Sequence, residues 1–110
     1  MSGVTLITCF EVPEGREDDF LTIWQEVNAF VRSKPGYLEH KLFRSLSPFA
    51  AFRFINVMRW TSVEEFNAAH NNDEFRALIM KRGWESFLAR PALYEVAHQG
   101  HAEVGSAASR

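Results

Sequence analysis

Residues 52–70 read FRFINVMRWTSVEEFNAAH, and this stretch decides the fold. Its first half alternates with period two. Phe52, Phe54, Asn56, Met58 and Trp60 share one face, and Arg53, Ile55, Val57 and Arg59 the other. Its second half opens a helix: Ser62 and Glu65 have capping-box spacing, and Phe66 and Ala69 begin an apolar face. The strand thus sets one amide, Asn56, and one indole, Trp60, on an otherwise apolar face. A buried amide needs a partner or a ligand, because leaving it unpaired costs a few kcal/mol.

Upstream, VTLITCFEV (Val4 to Val12) is a β-rich run. Val4, Leu6, Thr8, Phe10 and Val12 lie on one face, and Thr5, Ile7, Cys9 and Glu11 on the other. Pro13-Glu14-Gly15 ends it. A helix is predicted from about Arg16 to Ser33, with Phe20, Ile23, Trp24, Val27, Phe30 and Val31 at helical spacing. Acidic Glu17, Asp18 and Asp19 suit the positive end of its dipole. Lys34-Pro35-Gly36 stops it. Tyr37 to Arg44 reads as a second strand with His40 on the face of Leu38 and Leu42, and a turn containing Pro48 leads back to the third.

After Ser62 the helical region breaks at Asn71-Asn72. Asp73 is expected to cap a new segment carrying Phe75, Leu78 and Ile79, with Lys81-Arg82-Gly83 ending it. One more turn around Trp84, Phe87 and Leu88 precedes Pro91, and Ala92 to Gln99 reads as the last strand. Residues 1–101 form a single domain in this reading, and 102–110 a frayed tail.

Composition narrows the function classes. A net charge of -2 with no basic run gives nucleic-acid binding no electrostatic support. No apolar run approaches the ~20 residues of a membrane span. The start has no positive n-region, so no secretory leader is expected, and a lone Cys9 rules out an intrachain disulfide. Both favour a cytoplasmic setting. Cys9 reads as a small buried hydrophobe. His98 and His101 have no third ligand at metal-site spacing, and no nucleotide-binding or zinc motif is present.

The order strand, helix, strand, strand, helix, strand is the split-βαβ, or ferredoxin-like, arrangement: an α+β fold whose four-stranded antiparallel sheet carries helices on one face only. The other face would show Ile7, Cys9, Ile55 and Val57. Such a face is too apolar to stay wet, so a symmetric homodimer joined sheet to sheet is expected.

The Pro35-Gly36-Tyr37-Leu38 corner, the Asn56-x-x-x-Trp60 strand, Phe66 after Trp60, and Phe75-Arg76 after the helix break are together similar to the antibiotic biosynthesis monooxygenase family of dimeric α+β barrels. The resemblance spans roughly Val4 to Gln99. It implies a homodimer that oxygenates an aromatic or polycyclic phenolic small molecule with O2, using no metal, flavin or other cofactor, in a pocket between sheet and helices. Asn56 and Trp60 match the family's strand amide and indole. Arg76 matches its pocket arginine, and Phe66 a position where a tyrosine stands in the best-understood type. The haem-degrading relatives are similar in fold and in the Pro-Gly corner. Their strand-one asparagine, pocket tryptophan and axial histidine fall on or near Thr8, Ala69 and Ile79 here, and all three depart.

Oxygenation without a cofactor requires removing a proton from an electron-rich substrate, holding the anion and excluding water. Asn56 would bond a substrate oxygen, Trp60 would offer an N–H and a flat surface, and Arg76 would stabilise an oxyanion. His70 and His40 are the candidate bases. Phe54, Phe66, His70, Trp24 and His40 complete the candidate substrate-binding set. Two other functions stay open at this point: a non-catalytic small-ligand binding protein on the same scaffold, and a haem-binding member.

Overall fold

The computed structural model describes residues 3–81 and 84–103. Strand β1 (Val4–Glu11) leads to helix α1 (Glu17–Val31). Strands β2 (Tyr37–Arg44) and β3 (Phe54–Trp60) follow, then helices α2 (Val63–His70) and α3 (Asp73–Lys81). A 3-10 turn (Trp84–Ser86) precedes strand β4 (Leu88–Tyr94). The strands form one antiparallel sheet in the order β2-β3-β1-β4, which is the ferredoxin-like topology. Among the described residues no helix is long and apolar enough to cross a membrane.

The alternation of β3 is realised residue by residue. Phe54, Asn56, Met58 and Trp60 are buried, while Ile55 and Val57 are half-buried on the opposite face and Arg59 is exposed there. Thr8 of β1 stands opposite Asn56, and Ile7 opposite Val57. Helix α1 covers the inward face with Phe20, Trp24, Val27, Asn28 and Val31. The buried apolar residues fall into two clusters. One holds Leu6, Val31, Met58, Trp60 and Ala69, and the other Phe10, Phe20, Trp24, Phe54 and Phe87.

Two local devices fix the corners. Gly36 has φ +92°, and a Cβ there would collide with Glu65 of α2, so only glycine allows this approach. Its carbonyl accepts from Thr61 N at 2.9 Å. Ser62 caps α2 as expected, accepting from Glu65 N at 3.1 Å.

Four expectations are corrected. The cap of α3 is Asn72, not Asp73: its Oδ1 accepts from Phe75 N at 2.7 Å. Its Nδ2 donates to the carbonyls of Ala68 and Ala69 at 2.9 and 3.0 Å, closing the end of α2 as well. Asparagine carries both donor and acceptor, so one residue serves both helix ends. β4 begins at Leu88 and includes Pro91, and it is over by Tyr94. A proline is tolerated there because β4 is an edge strand, where the missing N–H need not serve a neighbour on both sides. On β2 the register shifts between Tyr37 and Glu39. The extra residue turns Leu38 out, 45% exposed, and brings Tyr37 rather than Leu38 onto the inward side with His40 and Leu42. Finally, β3 starts at Phe54, two residues later than the alternation suggests. The end of the expected Lys81-Arg82-Gly83 stop and most of the expected tail lie outside the described residues.

Candidate active site

A cavity of about 340 Å³ lies between the sheet and the helices. Leu6, Thr8 and Phe10 of β1, Asn56 and Met58 of β3, and Ala89 and Pro91 of β4 form its sheet side. Trp24, Val27, Asn28 and Val31 of α1 face them. Phe66 and His70 of α2, Asn71, Phe75 and Ile79 of α3, and Trp84 complete the wall.

The polar atoms in this apolar wall are few. Asn56 and Asn28 are 4% and 6% exposed, and neither side-chain oxygen has a hydrogen-bond partner among the described residues. His70 is the one titratable group among the described lining residues. It sits in an aromatic box. Its ring lies 4.3 Å from that of Phe66 at 30°, and meets the rings of Phe75 and Trp60 edge-on at 5.0 and 5.5 Å. Its Nδ1 is 2.9 Å from the Phe66 carbonyl, which can only accept, so Nδ1 carries the proton. Burial lowers the His70 pKa from its ordinary 6.5, against the opposing pull of the Phe66 carbonyl. The group is therefore a neutral imidazole at pH 7, with the lone pair on Nε2.

Of the residues singled out from the sequence, Asn56, Phe66, His70 and Trp24 line the cavity, and Trp60, Phe54, His40 and Arg76 do not. Trp60 is wholly buried behind His70, against Tyr37 and Phe66, and its indole N–H has no partner among the described residues. Phe54 stacks on Phe20 at 4.7 Å inside an apolar cluster. His40 is bonded through Nδ1 to the Tyr37 hydroxyl and touches the far side of Trp24, with ring centroids 5.4 Å apart. Burial, with the positive charge of Arg32, lowers the His40 pKa, while burial raises that of Tyr37. Arg76 points outward, its side chain 57% exposed, and pairs with Asp73 at 2.8 Å. The reason is helical spacing: Phe75 and Ile79, four apart, take the inward face of α3, which turns Arg76, the residue after Phe75, away from the cavity.

Asn28 and Thr8 were not singled out from the sequence as site residues. The signal for Asn28 is its position, one turn after Trp24 and one residue after Val27 on the apolar face of α1. Among the described residues no group of three or more metal-ligating side chains occurs, and His98 and His101 are exposed.

The antibiotic biosynthesis monooxygenase family model matches residues 3–81. Among curated proteins no sequence match was found. Among solved structures, a provisionally named monooxygenase from Shewanella loihica PV-4 is 31% identical, over 90% of this chain and 99% of that one, with a TM-score of 0.75. SnoaB, a cofactor-independent oxygenase from Streptomyces nogalater, is 22% identical over 94% of this chain and 100% of its own, with a TM-score of 0.75. A dabb family protein with a ferredoxin-like fold from Mesorhizobium loti is 10% identical over 89% and 100%, with a TM-score of 0.70. The last two speak for the fold alone. With the family model covering residues 3–81 and a relative 31% identical over nearly the whole domain, the chain belongs to the antibiotic biosynthesis monooxygenase family.

Proposed function

We propose that this protein is a cofactor-independent monooxygenase that uses O2 to oxidise an aromatic or polycyclic phenolic small molecule bound in the cavity. The observation that carries the reading is the meeting, in one apolar chamber, of the buried Asn56 amide, whose oxygen has no partner among the described residues, with His70 held as a neutral imidazole. The cavity volume of about 340 Å³ falls within the ~300–1,000 Å³ of small-molecule sites.

The chemistry follows from the groups present. Nε2 of His70 takes a proton from a ring CH2 that a neighbouring ketone or phenol acidifies. The electron pair of that C–H bond stays on the substrate, delocalised onto its oxygen, where the Asn56 side-chain N–H donates to it. That pair reduces O2 and a C–O bond forms. The resulting peroxide takes the proton back, the second C–H proton leaves, and the O–O bond breaks. The CH2 and O2 have then become C=O and water, with no outside reductant. The apolar wall keeps solvent from the anion. Trp60, Phe54 and His40 act from behind the wall in this reading, as supports for His70 and Trp24.

The working form is a homodimer joined through the helix-free face of the sheet, where Phe43 is 52% exposed beside Ile55, Cys9, Val57 and Ile7. A cytoplasmic setting belongs to the same reading.

A second reading is a ligand-binding protein without turnover. It is favoured by the outward position of Arg76, which leaves no cation among the described lining residues to hold an oxyanion. One experiment separates the two. Oxygen uptake with anthrone, above the uncatalysed rate and matched by quinone formation, is expected for the wild type and lost in Asn56→Ala. Binding of anthrone with no added oxygen uptake would leave the second reading standing.

A further inference from the structure

Three polar side chains interrupt the core at one level. On β1, Thr8 stands between Leu6 and Phe10, and on β3, Asn56 stands between Met58 and Phe54. On α1, Asn28 stands between Val31 and Trp24. In every case the first apolar neighbour belongs to one buried cluster and the second to the other. Thr8 and Asn56 are direct partners across the β1–β3 ladder, and all three residues line the same cavity. They are 7%, 4% and 6% exposed, so none is a surface residue turned inward by chance. Both amide oxygens are buried without partners, a cost to stability that no packing need explains at this shared level, and the donors these residues offer a ligand oxygen are the two side-chain N–H groups and the Thr8 hydroxyl.

We propose that Thr8, Asn28 and Asn56 form one polar belt that holds oxygen functions at the middle of an elongated flat ligand, and that Asn28 is a specificity-determining residue of the site. The inference rests on the cavity being a substrate site and names what that site selects. The wall is apolar on both sides of the belt, with Met58 and Val31 on one side and Phe10 and Trp24 on the other. A ligand with a ketone or hydroxyl oxygen on its central ring accepts from the belt's amide N–H groups and leaves its ends in apolar surroundings. A ligand with its oxygen on a terminal ring places that oxygen against hydrocarbon and leaves the amide N–H groups without an acceptor.

The test is binding measured apart from turnover, by quenching of the indole fluorescence of Trp24 and Trp84, both in the cavity wall. The probes, used without O2, are anthrone, anthracene, and a hydroxyanthracene with its oxygen on a terminal ring. The wild type is expected to bind anthrone about tenfold tighter than either of the others, the ratio for one well-made buried hydrogen bond. Asn28→Leu removes the amide at nearly constant volume. It should weaken anthrone binding by about tenfold while leaving anthracene within about twofold. Thr8→Val, isosteric and lacking only the hydroxyl, should act in the same sense by about threefold, and it carries the test if Asn28→Leu fails to fold. Equal affinity of the wild type for anthrone and anthracene overturns the belt. So does a change that weakens both probes alike in the variants. Selective binding of anthrone that is not oxidised once O2 is admitted sinks the monooxygenase reading and leaves the belt standing. Unaltered anthrone affinity and oxygen uptake in both variants overturns the belt and leaves the enzyme.

Discussion

His70 donates from Nδ1 to the carbonyl of Phe66 at 2.9 Å while its ring lies against the Phe66 ring, 4.3 Å between centroids. One residue thus sets both the tautomer and the tilt of the imidazole. The rings around it are Phe66, Phe75 and Trp60, none of them titratable near neutral pH. Burial lowers the His70 pKa below 6.5, so oxygen uptake should rise with pH and reach half its plateau below 6.5. His70→Gln should remove this limb and slow turnover by about 10²–10⁴-fold, the range for losing a general base. A pH–rate profile of the two proteins decides it.

The same shift acts on stability. Between its folded pKa and 6.5 the unfolded chain binds the proton more readily, so stability is full above 6.5 and falls as pH drops through that window. His40 is lowered too and acts in the same sense. The difference between wild type and His70→Gln in denaturant titrations across pH isolates the His70 part, and that difference should shrink as the pH falls.

Asn56→Leu should make the protein more stable and inactive at once. Removing a buried amide whose oxygen is unpaired relieves about 1 kcal/mol, or about 4 °C in Tm for a domain of this length. A variant that gains stability while losing anthrone oxidation marks a position kept for function. Thermal unfolding beside an oxygen-electrode assay reads both.

Asn72 ties the end of α2 to the start of α3 through three hydrogen bonds of 2.7 to 3.0 Å. Asn72→Ala removes a helix cap, which costs about 1 kcal/mol, and frees two carbonyls at the same corner. Phe66 and His70 of α2 share the cavity wall with Phe75 and Ile79 of α3. The substitution should therefore lower the urea midpoint and also weaken anthrone binding, although Asn72 itself is not part of the wall.

Val57→Glu tests the free face of the sheet. Val57 lies across from Ile7 in the ladder, on the side that no helix covers. A carboxylate there should convert a dimer to a monomer in sedimentation equilibrium, because pairing the faces would bury an uncompensated charge. A wild type that sediments as a monomer would refute the dimer.

The topology was legible because burial and period agree on β1 and β3, and because Ser62 and Gly36 carry chemistry that only a cap and a tight corner use. The start of β4 was not, because Pro91 reads as a stop until it is known that the strand lies at an edge. At the site, Asn56 stood out as a polar residue on an apolar strand face. Asn28 does not, because an amphipathic helix carries polar residues at many positions and one amide on its apolar face breaks no periodic pattern. The outward turn of Arg76 is hidden in the sequence for a related reason: which residue of a short helix faces inward depends on the phase set by Phe75 and Ile79, and the break at Asn71-Asn72 resets that phase.

The division of the core into two apolar clusters by the belt has a consequence for how such a protein diversifies. Substitutions at Leu6 or Val31 on one side and at Phe10 or Trp24 on the other touch different neighbours, so their effects should add with little coupling. The two end walls of the chamber are then adjustable one at a time around a fixed waist. A lineage can lengthen or shorten the molecule it accepts at either end while keeping the three residues that grip its middle.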